Sequence, residues 1–573
     1  MSGKRTSCGD IERLIEREQQ AIEQEHLLSR LWAQDETLWP YGDFAKDHLR
    51  GNLQFLHIPE ALSQFMVGGL KANREAEQEG MTDKVLISFG SVHHFCKAAL
   101  DLQPEGNKAF RFLESCHPDA LPRLEEGLDP QRMFVILVNK SNYQIEDHAL
   151  FLHFHRKLRG EVPEKLGKHF AAVTNADSYL ATLSGQYRFR YLLEMPAGIL
   201  APYCSVLFLG LFLAGATKLE PEVLRIACRE MKRQYVDAHR AGENPAGELA
   251  AFLAGAAKSG RRILRLVAAP ALASFAAALC PLVGGSLGRG EHGLFPLAST
   301  SSDCREGEEK NTSYVLFGKG DEEDAGLEKH KDRLRALGTP FLEIGVSNPL
   351  DLVRQAFEWQ LAVVLCASRL GIYPFEPADV LKGQTLAGEM LSGYAPGKDT
   401  FQRKARLREG GLQLFAEIKA RREISQLNII ESLGSFFQQR ASASYVSLFV
   451  FLQQREEIVR LFEGLRCKIE QKLALPVMLT WGPRSIYTYS YLLREEAPAG
   501  LHLVVAGEPK KDLNIPGANY KFGQLYMALA LGQFEALSGA NGLALRLHVG
   551  AASGSELAEL ENVVSQALRH VGA

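Results

Sequence analysis

The chain has 573 residues, which is more than one hydrophobic core normally organises, so we expect two or three domains. Apolar residues make up 46% of the chain and charged residues 23%, values that are typical of a soluble globular protein. The formal charge of −3, without a sustained basic run, argues against nucleic-acid binding.

The first predicted element lies within residues 10–35, where apolar residues recur at helical spacing among glutamates and arginines. This pattern predicts an amphipathic helix packed on a larger body. The first twenty residues lack the apolar core of a signal peptide. The nine cysteines, from Cys8 to Cys467, are scattered without a C-x-x-C pair, so we predict a reduced, cytoplasmic compartment.

Short apolar runs bounded by turn residues then alternate with longer helical patterns. Continuously apolar strands separated by helices predict parallel sheets covered on both faces, and therefore doubly wound α/β layers. The predicted strands are KVLISFG at 84, RMFVILV at 132, FAAVT at 170, RYLLEM at 190, RILRLVAA at 262, SYVLFG at 313, PFLEIGV at 340, YVSLFVFL at 445, PVMLTWG at 476, LHLVVAG at 501 and LALRLHVG at 543.

Residues 195–217 carry no charge over 23 positions, which is long enough to span a bilayer. Pro196 and Pro202 confine a helix to about the last 15 of these residues, and no second such segment or basic flank accompanies it. We therefore predict a helix from about residue 203 that is buried on all sides, with membrane association as a much weaker alternative.

Two further segments bear on the organisation of the chain. The helical region between about 218 and 260 is the predicted break between two halves, each of which alternates predicted strands and helices. Residues 301–333 carry many charges around one strand and predict a solvated edge.

Three predicted strand-to-helix junctions are candidate ligand sites, because open parallel sheets bind ligands at the carboxyl ends of their strands. They are Gly90-Ser91, Asn139-Lys140-Ser141, and the glycine-rich segment 282–293. Unpaired amides at a helix start attract phosphate, although glycine clusters also occur as plain turns. Lys140 is accordingly either a phosphate ligand or a solvated lysine on a turn.

Metal and nucleophilic chemistry have little support in the sequence. The adjacent His93 and His94, and the group of His148, His153 and His155 on one predicted helix, lack carboxylate or cysteine ligands at zinc spacing. No serine lies in the context of a nucleophile elbow. We predict no metal and no cofactor.

The string RQAFEWQLAVVLCASRLGIYPFEPADV at 354–380 resembles one in the glucose-6-phosphate isomerase family, most closely the isomerase part of bacterial transaldolase–isomerase fusions. Further similar strings keep the same order: LWAQDETLW near 31, VLISFG at 85, VNKS at 138, residues 263–277, and DLNIPGANYKFGQLYMALALGQFEAL at 512–537.

The resemblance covers nearly the whole chain and implies two sugar-isomerase (SIS) domains with a phosphosugar pocket between them. The implied fold class is α/β, with two αβα sandwiches of parallel sheets and an N-terminal helical segment. The implied boundaries are 1–75 for the helical segment, 76–235 for the first SIS-like domain and 236–573 for the second.

The site residues of the family carry over only in part. The implied phosphosugar-binding residues that remain are Gly90, Ser91, Lys140, Ser141, Gly285, Ser286 and Arg494. The first phosphate loop has Val92 and His93 in place of hydroxyls, and the second has Asn142, Tyr143 and Gln144 in place of Gly-Thr-Thr.

The catalytic positions are substituted as well. Gly285 stands where the family has its catalytic glutamate, and Arg494 stands where it has a lysine. The segment that should carry an arginine, 197–205, has none. Aldose–ketose isomerisation needs a positioned base and a cation for the developing oxygen charge, so this pattern indicates a catalytically degenerate relative.

Two functions follow as expectations. The first is a degenerate protein that binds a phosphosugar or acts as a structural or regulatory partner, as a homodimer or in a complex with an active homologue. The alternative is an active hexose 6-phosphate isomerase with a rebuilt site, in which Glu291 or His292 is the base.

Overall fold

The computed structural model describes residues 4–7, 11–40, 46–102, 110–140, 144–217, 221–238, 240–301, 311–320, 322–375, 382–394, 405–417 and 428–572. Three β-sheets, of five, five and six strands, organise these residues. The predicted α/β class, with parallel sheets and an N-terminal helical part, is confirmed.

The N-terminal part is mostly helical and packs on the rest of the chain. A short strand, β1 (Lys4–Ser7), is followed by the helices α1 (Glu12–Gln24), α2 (Leu27–Trp32), α3 (Lys46–Leu53) and α4 (Ile58–Gln78). Ile15, Ile22 and Leu31 are buried, as the helical spacing predicts. The predicted single helix is divided at His26, whose φ of 53° interrupts the helical backbone.

The first sheet is entirely parallel. Its strands are β2 (Asp83–Ile87), β3 (Phe110–Leu113), β4 (Met133–Val138), β5 (Phe170–Thr174) and β6 (Tyr191–Glu194), in the order β3-β2-β4-β5-β6. Its helices are α5 (Ser91–Asp101), α6 (Ala120–Glu125), α7 (Ile145–Glu161) and α8 (Tyr179–Gln186).

Three helices connect the first sheet to the second: α9 (Ser205–Thr217), α10 (Pro221–Asp237) and α11 (Pro245–Lys258). Helix α9 is the predicted apolar helix, and its Val206, Leu207, Leu209 and Leu213 are completely buried. The buried-helix prediction is therefore confirmed. A different helical segment, 270–287, is long and apolar enough to span a bilayer, and 61% of it is buried inside the structure.

The second sheet combines the strands β7 (Ile263–Ala268), β8 (Phe295–Thr300), β9 (Thr312–Gly318) and β10 (Phe341–Gly345) with β1, in the order β1-β10-β9-β7-β8. Only the pairing of β1 with β10 is antiparallel. Its helices are α12 (Ala273–Leu287), α13 (Ala325–Ala336), α14 (Pro349–Leu370) and α15 (Lys382–Ser392).

The strand within the charged segment 301–333 is β9, and it lies in the middle of the second sheet rather than at an edge. Tyr314, Val315 and Leu316 are buried. The predicted solvated edge is therefore wrong, because the charges flank an apolar strand that has a neighbour on each side. Residues 302–310 and 321 of that segment lie outside the described residues.

The third sheet has the order β11-β12-β16-β15-β13-β14, in which the last four strands are parallel. Its strands are β11 (Leu407–Glu409), β12 (Leu412–Ala416), β13 (Tyr445–Phe451), β14 (Val477–Trp481), β15 (Gly500–Ala506) and β16 (Gly542–Val549). The helices of this part are α16 (Ile429–Gln438), α17 (Glu456–Leu473), α18 (Ser485–Thr488), α19 (Phe522–Ser538) and α20 (Gly554–Arg569).

The predicted second SIS-like domain, 236–573, thus contains two sheets, which the sequence analysis did not separate. The boundaries 1–75, 76–235 and 236–573 stay predictions. Cys467 on α17 is disulfide-bonded, whereas six other cysteines in the described part are buried thiols. The reduced, cytoplasmic compartment accordingly stays a prediction too.

Candidate functional site

Lys140 lies at the carboxyl end of β4, as predicted, but its ammonium group is occupied by the fold. Its Nζ donates to Asn175 Oδ1 and to the carbonyl oxygen of Pro196, each at 2.8 Å. The Asn175 amide donates in turn to the carbonyl of Lys140 at 3.1 Å. Lys140 is 7% exposed, so it is not the solvated lysine of a turn; it ties together the segments that follow β4, β5 and β6.

The helix that follows the Lys140 loop begins with two buried carboxyl groups, Glu146 and Asp147. Glu146 accepts hydrogen bonds from the Tyr487 hydroxyl and from Gln384, and Asp147 accepts one of 2.6 Å from Asn139. Burial raises the pKa of both groups, with the neighbouring Glu146 adding to the shift at Asp147. This network joins the first sheet to segments 382–394 and 485–488.

Tyr487 also covers the first predicted phosphate loop. Gly90 has a φ of 74°, and a Cβ atom there would lie 3.0 Å from Cβ of Tyr487. Ser91 begins α5, but its side chain lies outside the described residues, as do Ser141, Asn142 and Tyr143. Val92, which stands where the resemblance implies a hydroxyl, is buried in the apolar core.

The predicted third junction, 282–293, is not a strand-to-helix junction. Residues 284–287 form the last turn of α12, and the following loop leads into the amino end of β8. The prediction that residues 284–290 lie at the carboxyl end of a strand is therefore wrong. The apolar, alanine-rich stretch before them continues as a helix through Gly284 and Gly285.

Arg494 stabilises this helix end. Its guanidinium donates to the carbonyl oxygens of Gly284 at 3.1 Å, Gly285 at 2.8 Å and Gly288 at 3.4 Å. The last carbonyls of a helix have no partner within the helix, and a cation there also complements the helix dipole. The resemblance implies that the charge of Arg494 binds a phosphosugar. In the structure this charge instead stabilises the end of α12.

Two tyrosines fill the space around the same helix end. The Tyr203 hydroxyl lies 2.8 Å from Ser286 Oγ, and both residues are buried. The ring of Tyr491 lies against Gly284, where a Cβ atom would be 2.5 or 2.6 Å from three ring carbons. Its hydroxyl donates to the carbonyl of Pro296 at 2.5 Å. The structure therefore brings Gly285, Ser286 and Arg494 together, but packs tyrosines beside them.

Glu291 and His292, the predicted substitute bases, are exposed on the loop before β8. Glu291 lies near Arg262, where burial lowers the pKa of the guanidinium and the charge of Glu291 opposes that shift. An open groove of about 410 Å³ beside them, lined in part by Arg262 and Glu496, follows the amino ends of strands. Ligands of parallel α/β sheets bind at the opposite, carboxyl ends.

A second cavity, of about 230 Å³, lies where the three sheets approach one another. We call it the junction cavity. Lys97 and His94 come from α5 of the first sheet, and Thr300 comes from the carboxyl end of β8 in the second. Thr480, at the end of β14, and Arg466 and Arg484 come from the third.

Sequence reasoning missed the junction cavity, because its residues come from segments that are hundreds of positions apart. One signal was present: Thr480 lies near the end of the predicted strand PVMLTWG and Arg484 follows it, and polar residues at such an end are candidates for ligand contact. Of the predicted histidines, only His94 lines this cavity. Within the described ranges, no three His, Cys, Asp or Glu side chains are placed to hold a metal ion.

No protein-family model matches the chain, and no curated protein matches it. Among solved structures, a hypothetical protein from Thermus thermophilus is similar, with a TM-score of 0.55 and 16% identity over 68% of this chain and 100% of that one. This likeness shows a shared fold.

The structures with similar folds include phosphosugar isomerases. A glucose-6-phosphate isomerase from Chlamydia trachomatis matches with a TM-score of 0.46 and 14% identity, over 66% of this chain and 83% of that one. A tagatose-6-phosphate ketose/aldose isomerase from Escherichia coli matches with a TM-score of 0.40 and 14% identity, over 56% of this chain and 94% of that one. Similarity at this level adds no argument about function.

Proposed function

We propose that this chain is a catalytically degenerate relative of the glucose-6-phosphate isomerase family that binds a phosphosugar without converting it. The observation that carries the proposal is that the two cations implied to bind substrate, Lys140 and Arg494, have hydrogen-bond partners within the fold. Lys140 is satisfied by Asn175 and Pro196, and Arg494 by three carbonyls at the end of α12. Cations committed to the fold are poorly placed to stabilise an enediolate.

The missing base supports the same proposal. The glutamate of the family corresponds to Gly285, which has no side chain and accepts a hydrogen bond from Arg494 through its carbonyl. General acid–base catalysis is worth about a hundred- to ten-thousand-fold, and oxyanion stabilisation about 3 kcal/mol more. A site that lacks both contributions falls many orders of magnitude below a working isomerase.

We further propose that the chain acts through association, as a homodimer or with an active homologue. Loss of a catalytic site together with retention of the scaffold is the expected result when selection preserves a surface. This part of the proposal predicts a sedimentation coefficient above that of the monomer at micromolar concentration, alone or with cell extract. A strictly monomeric species under both conditions would contradict it.

The catalytic part is tested with a coupled assay that follows glucose 6-phosphate and fructose 6-phosphate in both directions. We expect no turnover above background from the wild-type protein or from Gly285→Glu, because the arginine and the hydroxyls of the phosphate loops are still missing. Turnover near one per second, abolished by Glu291→Gln or His292→Gln but not by Glu495→Gln, would instead establish an isomerase with a rebuilt site.

A further inference from the structure

We infer that the ligand site of this chain is the junction cavity, and that it takes a small phosphorylated metabolite whose phosphate is bound by Arg484, Arg466 and Lys97. This inference rests on the proposed function for the ligand class. It departs from the sequence-based expectation in the position of the site, which shares none of the predicted phosphosugar residues.

The position of the junction cavity in the fold supports a binding role. It lies at the carboxyl ends of β8 and β14, where parallel α/β sheets hold their ligands. It is also bordered by parts of all three sheets, and clefts between such units are common ligand sites. Its volume of about 230 Å³ suits a small metabolite better than a nucleotide or a peptide.

The three cations of the junction cavity are held in place by carboxylates. Lys97 Nζ lies 2.9 Å from Asp101 Oδ1, and Arg466 Nη1 lies 2.7 Å from Glu470 Oε2. Arg484 Nη1 pairs with Glu114. Glu470 is shared with Arg265, at 2.6 Å.

These carboxylates make the net charge around the cavity small, so attraction depends on positioned N–H donors. Charge-assisted hydrogen bonds from guanidinium groups to phosphate are strong and geometrically specific. Because their partners restrain the cations before a ligand arrives, less side-chain entropy is lost on binding.

Arg484 is largely buried beside its carboxylate partner Glu114. Its side chain is 15% exposed, and burial lowers its pKa to about 10. A cation in such an environment gains more from an anion than an exposed arginine does, because the effective dielectric constant is lower.

The carboxylate of Glu463, which accepts a hydrogen bond of 2.8 Å from Arg466 Nε, and several neutral polar groups complete the lining. Thr300 and Thr480 bring hydroxyl groups to the carboxyl ends of β8 and β14. Burial and the nearby Arg484 keep the pKa of His94 well below its usual value, so this histidine is a neutral hydrogen-bonding group at pH 7. Hydroxyl and imidazole groups recognise the hydroxyls of a sugar as readily as the oxygens of phosphate.

The test is isothermal titration of the full chain with inorganic phosphate and with glucose 6-phosphate, at constant ionic strength, with glucose as the uncharged comparator. We expect saturable binding of both phosphates and at least tenfold weaker binding of glucose. Arg484→Gln and Lys97→Gln should each weaken phosphate binding at least tenfold. Ala277→Leu, which fills the cavity without changing its charge, should also abolish binding.

Two control variants locate the site. Arg240→Gln removes a positive charge from an exposed arginine and should leave phosphate affinity within twofold of wild type. Lys140→Ala should do the same in protein that circular dichroism shows to be folded, a check that is needed because buried Lys140 joins three segments. Lys97, whose side chain is 42% exposed, keeps the test valid if Arg484→Gln fails to fold.

The inference is overturned if neither phosphate binds saturably, if glucose binds as well as glucose 6-phosphate, or if Lys140→Ala abolishes binding while Lys97→Gln and Ala277→Leu do not. The last outcome would place the ligand in the inherited cleft and leave the proposed function intact. Turnover in the coupled assay would refute the proposed function instead.

Discussion

At the scale of single residues, the clearest finding is that Lys140 and Arg494, two residues predicted to bind a phosphosugar, have structural partners here. Arg494 is the best example, since it holds the carbonyls of Gly284, Gly285 and Gly288 in a buried setting. The sequence predicted a cation at this position but not its role. The sequence alone does not distinguish an arginine that binds a ligand from one that binds the carbonyls at a helix end.

We predict that Arg494→Met lowers the free energy of unfolding by about 2 to 3 kcal/mol, because it leaves buried carbonyls without a charged donor. Urea denaturation of the purified protein measures this change. Arg240→Met is the matched control, since Arg240 is exposed and pairs with Glu243 on the surface. Equal, small effects of the two substitutions would show that Arg494 does not stabilise the end of α12.

A second residue-scale prediction concerns Glu18, which is buried and lies 2.6 Å from Lys258 and 2.8 Å from Arg369. Burial opposes its ionisation, but the two cations outweigh that effect and lower its pKa from 4.5. A lowered pKa in the folded state stabilises the protein above the unfolded value, and this stabilisation is lost as pH falls through the folded value.

Glu18→Gln should therefore lower the free energy of unfolding by about 1 to 3 kcal/mol at pH 7. It should also make the stability less dependent on pH below 4.5, the ordinary pKa of this group. Urea denaturation between pH 3 and 7 measures both effects. Glu12→Gln on the same helix is the control, because Glu12 is exposed. An unchanged pH profile for Glu18→Gln would contradict the stabilising role of this ion pair.

At the scale of elements, the sequence identified every strand that is a continuous apolar run, because such runs are buried on both faces of a parallel sheet. It missed β1, β3, β8, β11 and β12. All but β12 are edge strands or very short, and β8 contains Pro296, which an edge strand tolerates. The sequence analysis also placed residues 284–290 in a loop, because clustered glycines usually indicate a turn. In the structure α12 continues to Leu287, and Arg494 binds its last carbonyls.

Helix α9 provides the prediction at this scale. Leu209 is completely buried, so Leu209→Asp places an unpaired carboxylate in the core and should cost about 4 kcal/mol or more, which is enough to prevent folding. The same substitution at Val223 of α10, which is 46% exposed, should be tolerated. Soluble expression and circular dichroism distinguish the two variants. A folded Leu209→Asp protein would contradict the buried position of α9.

At the scale of the whole molecule, the junction cavity lies between the sheets, while Tyr203, Tyr487 and Tyr491 pack against residues of the predicted phosphosugar site. The resemblance predicted substitutions at the catalytic positions from the order of motifs along the chain. It did not indicate what replaced them, because the tyrosines and their contacts come from segments far apart in the chain. The junction cavity was hidden for the same reason.

The central claim is the proposal that this chain does not move a proton between adjacent carbons of a hexose 6-phosphate. Nuclear magnetic resonance of glucose 6-phosphate in D₂O with the purified protein measures this step directly, since abstraction at C2 exposes the proton to exchange with solvent. We predict neither deuterium at C2 nor fructose 6-phosphate above the level of a protein-free control. Deuterium incorporation or product formation that increases with protein concentration and is lost in Glu291→Gln would contradict the account.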